Sequence, residues 1–167
     1  MAEDSLITEE LNNQIGVESK PHMYEIEKGL LRQFARAIDD PNPLWHNEEY
    51  TKKTRYGTII APPSLIIGLG MEDFDADRWH GEAAVRKQCG ETELLAGTEI
   101  ECYQPIKLGD VITVTNKLID VYEKESKKVG EMLFLTYERI GKNQRQETVV
   151  KQRETFIKYK SIEVKHD

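Results

Sequence analysis

Val111-Ile112-Thr113-Val114-Thr115-Asn116-Lys117-Leu118-Ile119-Asp120-Val121-Tyr122 is the stretch on which the fold turns. It is rich in β-branched residues, and its apolar side chains recur largely with a period of two, the pattern of a strand that buries one face. Two more stretches of this kind follow, Glu131–Ile140 and Glu147–Tyr159, set apart by Lys127-Lys128-Val129-Gly130 and Gly141-Lys142-Asn143. Glycine and asparagine at those joints suit turns, so the three read as an antiparallel meander. A shorter strand is expected over Thr98–Gln104, with Ile100 and Cys102 on one face, before a turn at Gly109-Asp110.

Upstream the period changes to that of a helix. Between Glu25 and Asp39, Ile26, Leu30, Phe34 and Ile38 recur at every fourth position, and Leu31 and Ala35 widen the stripe. Glu25 and Glu27 suit a first helical turn, and Pro41 ends the helix by disfavouring helical backbone at the residue before it. A second, short helix is expected from Pro62-Pro63, which a first turn tolerates, through Leu65, Ile66 and Ile67 to Gly68 or Gly70. One long helix followed by long strands is an α+β pattern, with the sheet wrapped around the helix. Residues 13–160 form one domain on this reading, and the polar ends, 1–12 and 161–167, are expected to fray.

The chain has 167 residues, with 23 Lys+Arg against 30 Asp+Glu and a net charge of −7. An acidic balance argues against nucleic-acid binding, which draws most of its affinity from phosphate contacts. The longest nearly apolar run, Ile59–Leu69, falls short of the ~20 residues a bilayer span needs. Met1-Ala2-Glu3-Asp4-Ser5 lacks the basic start of a secretory signal, so a cytoplasmic location is expected. Cys89 and Cys102 have neither the spacing of a disulfide framework nor that of a zinc site. Without a glycine-rich phosphate loop or a Gly-x-Ser-x-Gly elbow, nucleotide and serine-hydrolase chemistry lack support, and no metal or redox cofactor is expected.

Chemistry concentrates in Phe34-Ala35-Arg36-Ala37-Ile38-Asp39-Asp40-Pro41-Asn42-Pro43-Leu44-Trp45-His46. A buried helix delivers a carboxylate, an amide and an imidazole onto a loop stiffened by two prolines. Such a group could hold a water molecule, with Asp40 taking its proton and His46 returning one elsewhere. The same residues also suit a purely local role, in which Asp39, Asp40 and Asn42 cap the helix end and turn. Just beyond, Lys52, Lys53 and Arg55 form a basic island that suits either phosphate groups or a solvated helix face.

This segment, with Tyr56-Gly57-Thr58-Ile59-Ile60-Ala61-Pro62-Pro63-Ser64-Leu65 and Cys102-Tyr103-Gln104-Pro105-Ile106-Lys107-Leu108-Gly109-Asp110, resembles the MaoC-like (R)-specific enoyl-CoA hydratases and 3-hydroxyacyl dehydratases, in their FAS1-type N-terminal hydratase-like branch. The likeness spans roughly residues 12–160. It implies a single hot-dog fold, a long central helix wrapped by a curled antiparallel sheet and paired with a second hot dog. It also implies reversible hydration of a trans-2-enoyl thioester of coenzyme A or acyl carrier protein, as in fatty acid metabolism, with coenzyme A present only as part of the substrate.

Active members carry Asp-x-Asn-Pro-x-His and a glycine at the start of the second helix. Asp and His grip the water, and a backbone N–H steadies the thioester oxygen as negative charge develops on it. By this resemblance Asp40, Asn42 and Pro43 match, Trp45 occupies the histidine column with His46 one residue later, and Pro63, which has no N–H, occupies the glycine column. Two readings follow. Either Asp40, Asn42 and His46 catalyse in a self-sufficient homodimer, with the Ser64 N–H as oxyanion donor, or this chain is the acyl-binding hot dog of a heterodimer whose second MaoC-like chain catalyses. In the second, Trp45, Pro63, Ser64, Lys52, Lys53, Arg55 and Trp79 touch the substrate, Trp79 from an irregular connection over 71–92 that suits either a binding lid or a surface loop pinned by its own aromatics. An accessory hot dog in a thiolase-type assembly and a thioesterase are further alternatives.

Overall fold

The computed structural model describes residues 5–69 and 92–159. The order of elements is helix α1 (Glu9–Gln14), strand β1 (His22–Glu25), helix α2 (Lys28–Ala37), a 3-10 turn at Pro43–Trp45, short helices α3 (Glu48–Thr51) and α4 (Leu65–Gly68), then strands β2 (Thr92–Cys102), β3 (Val111–Ser126), β4 (Gly130–Lys142) and β5 (Thr148–Tyr159). The strands form one antiparallel sheet in the order β1-β3-β4-β5-β2. The expected meander is therefore β3-β4-β5, and the α+β hot-dog architecture holds.

Helices cover one face of the sheet in two patches. Ile112 and Val114 of β3 and Val150 of β5 pack with Leu31 of α2 and Leu65 and Ile66 of α4. Further along that face, Leu118, Leu133 and Leu135 pack with Leu6 and Leu11. Residues 5–12, expected to fray, are thus docked. Thr8 Oγ1 accepts the Leu11 N–H at 3.1 Å and caps α1, and the Glu123 carboxylate takes the Ile7 N–H at 2.8 Å. Residues 161–167 lie outside the described residues.

Three boundaries and one buried face differ from the sequence expectation, each for a local reason. Helix α2 begins three residues after Glu25, because His22–Glu25 pairs with β3 and Ile26 sits buried in the connection. Its end is set by Asp39, whose φ of 52° is left-handed backbone. Its buried line runs through Leu31 and Ala35, whereas Ile38 is 41% exposed. Strand β2 begins six residues before Thr98; a register shift between Leu95 and Gly97 and an exposed run there hide the alternation.

Candidate functional site

The site grows from the end of α2. The left-handed Asp39 turns the chain back, and the Asp40 N–H bonds the Ala35 carbonyl at 3.0 Å. Asp40 Oδ1 then accepts the Asn42 N–H at 3.0 Å, and Asn42 Oδ1 accepts the Leu44 N–H at 3.0 Å, so two successive side-chain turns fix Pro41–Leu44. Asp40 Oδ2 accepts the Trp45 indole N–H at 2.8 Å. Trp45 is only 7% exposed and packs with Ala35 and Ile60, with Leu44 and Tyr56 alongside.

The structure thus brings Asp40, Asn42 and Trp45 together and leaves His46 apart. His46 is exposed at the end of the 3-10 turn, anchored through its backbone N–H to the Pro43 carbonyl at 3.4 Å. The capping alternative for Asp40 and Asn42 is the geometry observed; Asp39 contributes its backbone conformation.

Beside Trp45 opens a cavity of about 270 Å³, walled by Leu44, Trp45, Ile60 and Pro63 on one side and by Cys102, Tyr103 and Val150 on the other. Its position follows from two backbone ties: the Ile60 N–H to the Leu44 carbonyl at 3.2 Å, and the Ala61 N–H to the Ile106 carbonyl at 2.8 Å. These bring Pro62-Pro63 opposite the segment that follows β2. The lining is mostly apolar with few polar groups, as small-molecule pockets are.

Arg55 and Tyr56 also line it; Arg55 Nη2 donates to the Tyr56 hydroxyl at 2.8 Å and the guanidinium lies 4.9 Å from the ring centre. Lys52 and Lys53 are exposed and do not line the cavity, so of the basic island Arg55 alone borders it. Ser64, half-buried, precedes α4 and is not in the lining. Trp79 and the rest of the 71–92 connection, Thr92 apart, lie outside the described residues.

Cys102, Tyr103, Gln104, Val149 and Val150 line the cavity without having been singled out as site residues. A signal existed, because Cys102–Asp110 is one of the stretches that carry the family resemblance, but none of its residues belongs to the Asp-x-Asn-Pro-x-His pattern that drew attention to the loop. Partial burial raises the Cys102 thiol above its usual value, which makes it a poor nucleophile. The Tyr103 hydroxyl donates to the Glu101 carboxylate at 2.5 Å, and that bond raises its titration point.

Residues 13–152 match the family described as FAS1-like, dehydratase domain region. The chain belongs to that family. It is 33% identical over 119 residues, 71% of this chain and 74% of the relative, to a UPF0336 protein of Thermobifida fusca. It is 25% identical over 140 residues to a probable enoyl-CoA hydratase alpha subunit of Thermomonospora curvata, covering 78% of this chain and 44% of that one. Among solved structures, the ChsH1-ChsH2 complex from Mycobacterium tuberculosis superposes with a TM-score of 0.75 at 18% identity, over 89% of this chain and 87% of that one. At that identity the likeness speaks for the fold.

Proposed function

We propose that this chain is the acyl-binding subunit of an acyl-CoA hydratase or dehydratase, paired with a catalytic MaoC-like hot-dog chain. The observation that carries this reading is the engagement of Asp40. Hydration needs an acid beside the base, whereas the side chain that Asp40 bonds is the Trp45 indole, whose N–H donates a hydrogen bond but gives up no proton. That N–H takes one Asp40 oxygen and the Asn42 N–H the other, which anchors the carboxylate in its own loop. Trp45 fills the place that the family's histidine takes, and Pro63 offers no N–H to an oxyanion.

The cavity beside Trp45 then serves as the entrance for the acyl thioester, with Arg55 at its edge for the phosphates of coenzyme A. Strand β2 favours a partner. It ends the sheet among the described residues, and Leu94 and Leu95 are 51% and 56% exposed along its 11 residues. Such an edge is a template for another strand, and in a hot-dog pair that strand comes from the second chain. On this reading the protein works in the cytoplasm with no cofactor beyond the coenzyme A of its substrate.

The test is a hydration assay on crotonyl-CoA and on a longer or aromatic enoyl-CoA, followed by loss of enoyl absorbance. The chain alone gives no turnover, and co-expression with a catalytic MaoC-like chain gives turnover. Hydration by the chain alone that disappears in Asp40→Asn would replace this reading with that of a self-sufficient homodimer, and release of free thiol would replace it with a thioesterase.

A further inference from the structure

Register places Asn116 of β3, Arg139 of β4 and Gln152 of β5 side by side, with Ile100 of β2 completing the row. The row above it holds Val114, Gly141, Val150 and Cys102, and the row below begins with Leu118 and Tyr137. Alternate residues share a face, so a polar row crosses the helix-covered face between its two apolar patches.

Arg139 organises that row. Its Nε donates to Asn116 Oδ1 at 2.8 Å, and its Nη1 donates to the Ile66 carbonyl of α4 at 3.2 Å and to Gln152 Oε1 at 3.0 Å. A guanidinium only donates, so Gln152 must turn its oxygen toward Arg139 and its NH2 away. Gln152 is 1% exposed, and its Nε2 meets no acceptor among the described residues. Leaving a buried donor unmade costs about 1–3 kcal/mol, yet Arg139 holds the amide in that orientation. Roughly 7 Å along the strand, on the same face, Val150 and its neighbour Cys102 line the cavity.

We propose that Gln152 is a specificity-determining hydrogen-bond donor for an oxygen atom carried on the acyl group, a hydroxyl or oxo oxygen deeper in the chain than the carbons that react. Arg139 is its positioning residue. The acyl group enters between Pro63 and Cys102, passes Val150 at the cavity's inner wall, and reaches Gln152 Nε2, which with Ile100 lies one row beyond the residues that line the cavity. This rests on the acyl-binding reading above and adds a substrate class to it: acyl thioesters with a second oxygen.

Titration calorimetry of the 167-residue chain with hexanoyl-CoA, 5-oxohexanoyl-CoA and 6-hydroxyhexanoyl-CoA tests it. One of the oxygenated thioesters binds about five- to tenfold tighter than hexanoyl-CoA, the net worth of one hydrogen bond. That ratio falls to about one in Gln152→Leu and in Gln152→Glu, the latter keeping an oxygen for Arg139 should the former fail to fold. Equal affinities in the wild type, or a preference that survives both substitutions, overturn the proposal. Wild-type chain that binds none of the three overturns the acyl-binding reading itself, so the two failures are separable.

Discussion

The Asp40 carboxylate and the Trp45 indole, five residues apart, are joined at 2.8 Å, and with the Asn42 N–H on its other oxygen the carboxylate is turned into its own loop. Asp40→Ala is therefore expected to act on stability, lowering it by about 1–3 kcal/mol in chemical unfolding. On the acyl-binding reading, the kcat obtained on co-expression with a catalytic MaoC-like chain should change less than tenfold. Removing a general acid or base lowers rates by roughly 10²–10⁴, so a loss of that size would return Asp40 to the chemistry.

Gly141 stands where β4 passes under α4. A Cβ there would lie 2.9 Å from Val150 Cγ1 and 3.3 Å from Ile112 Cγ2, both on buried residues. Gly141→Ala should cost about 1–3 kcal/mol, as overpacked cores do. A melting temperature equal to that of the wild type would show that the two strands yield there.

Leu11 is 2% exposed against the strands. Leu11→Ala should cost about 2–4 kcal/mol, in the range for truncated buried leucines. Thermal unfolding measures this directly, and an effect under about 0.5 kcal/mol would mean that the segment is loosely held in solution.

Glu138, with its side chain 8% exposed, faces Lys117 at 3.2 Å, Arg153 at 3.2 Å and Lys151 at 3.7 Å. Burial pushes its carboxyl up, and the hydrogen bonds from Lys117 and Arg153 with the charge of Lys151 outweigh that, holding it below its ordinary 4.5. A carboxylate depressed on folding stabilises the protein above its unfolded value and loses that contribution as pH falls through the folded one. The three cations are partly exposed, so the effect lies between the ~0–1 kcal/mol of surface pairs and the ~3–5 of buried ones. Glu138→Gln should cost about 2 kcal/mol at pH 7, and the gap to wild type should close below pH 4.5. A gap independent of pH would show that packing of this side chain, and not its charge, is what matters.

The long strands were legible because β3, β4 and β5 each bury one face and so alternate. Strand β2 was half legible, since a sheet edge open to solvent on both sides imposes no such pattern on Glu93–Gly97. Strand β1 is four residues long, too short for a period to register. At the site, the loop residues declared their types, but which role they take depends on direction. The spacing of Asp40 and Trp45 allowed both a free carboxylate and a tethered one, and only the indole geometry separates them. Gln152 gave no sign in the sequence, because its burial and its orientation come from Arg139, thirteen residues away in the chain and adjacent only through strand pairing.

The docked N-terminus sets the order in which this molecule can be completed. Ile7 is tied to Glu123, 116 residues later, and Leu6 and Leu11 rest on Leu118, Leu133 and Leu135. During synthesis at about 5–20 residues per second, Leu6, Ile7 and Leu11 wait several seconds for the surface that receives them. Strand β1 waits likewise for β3, and β2 for β5. A nascent chain halted before residue 130 has β3 but lacks β4 and β5, so the surface under Leu6 and Leu11 is incomplete and β2 has no partner; this fold closes only once β5 has been made.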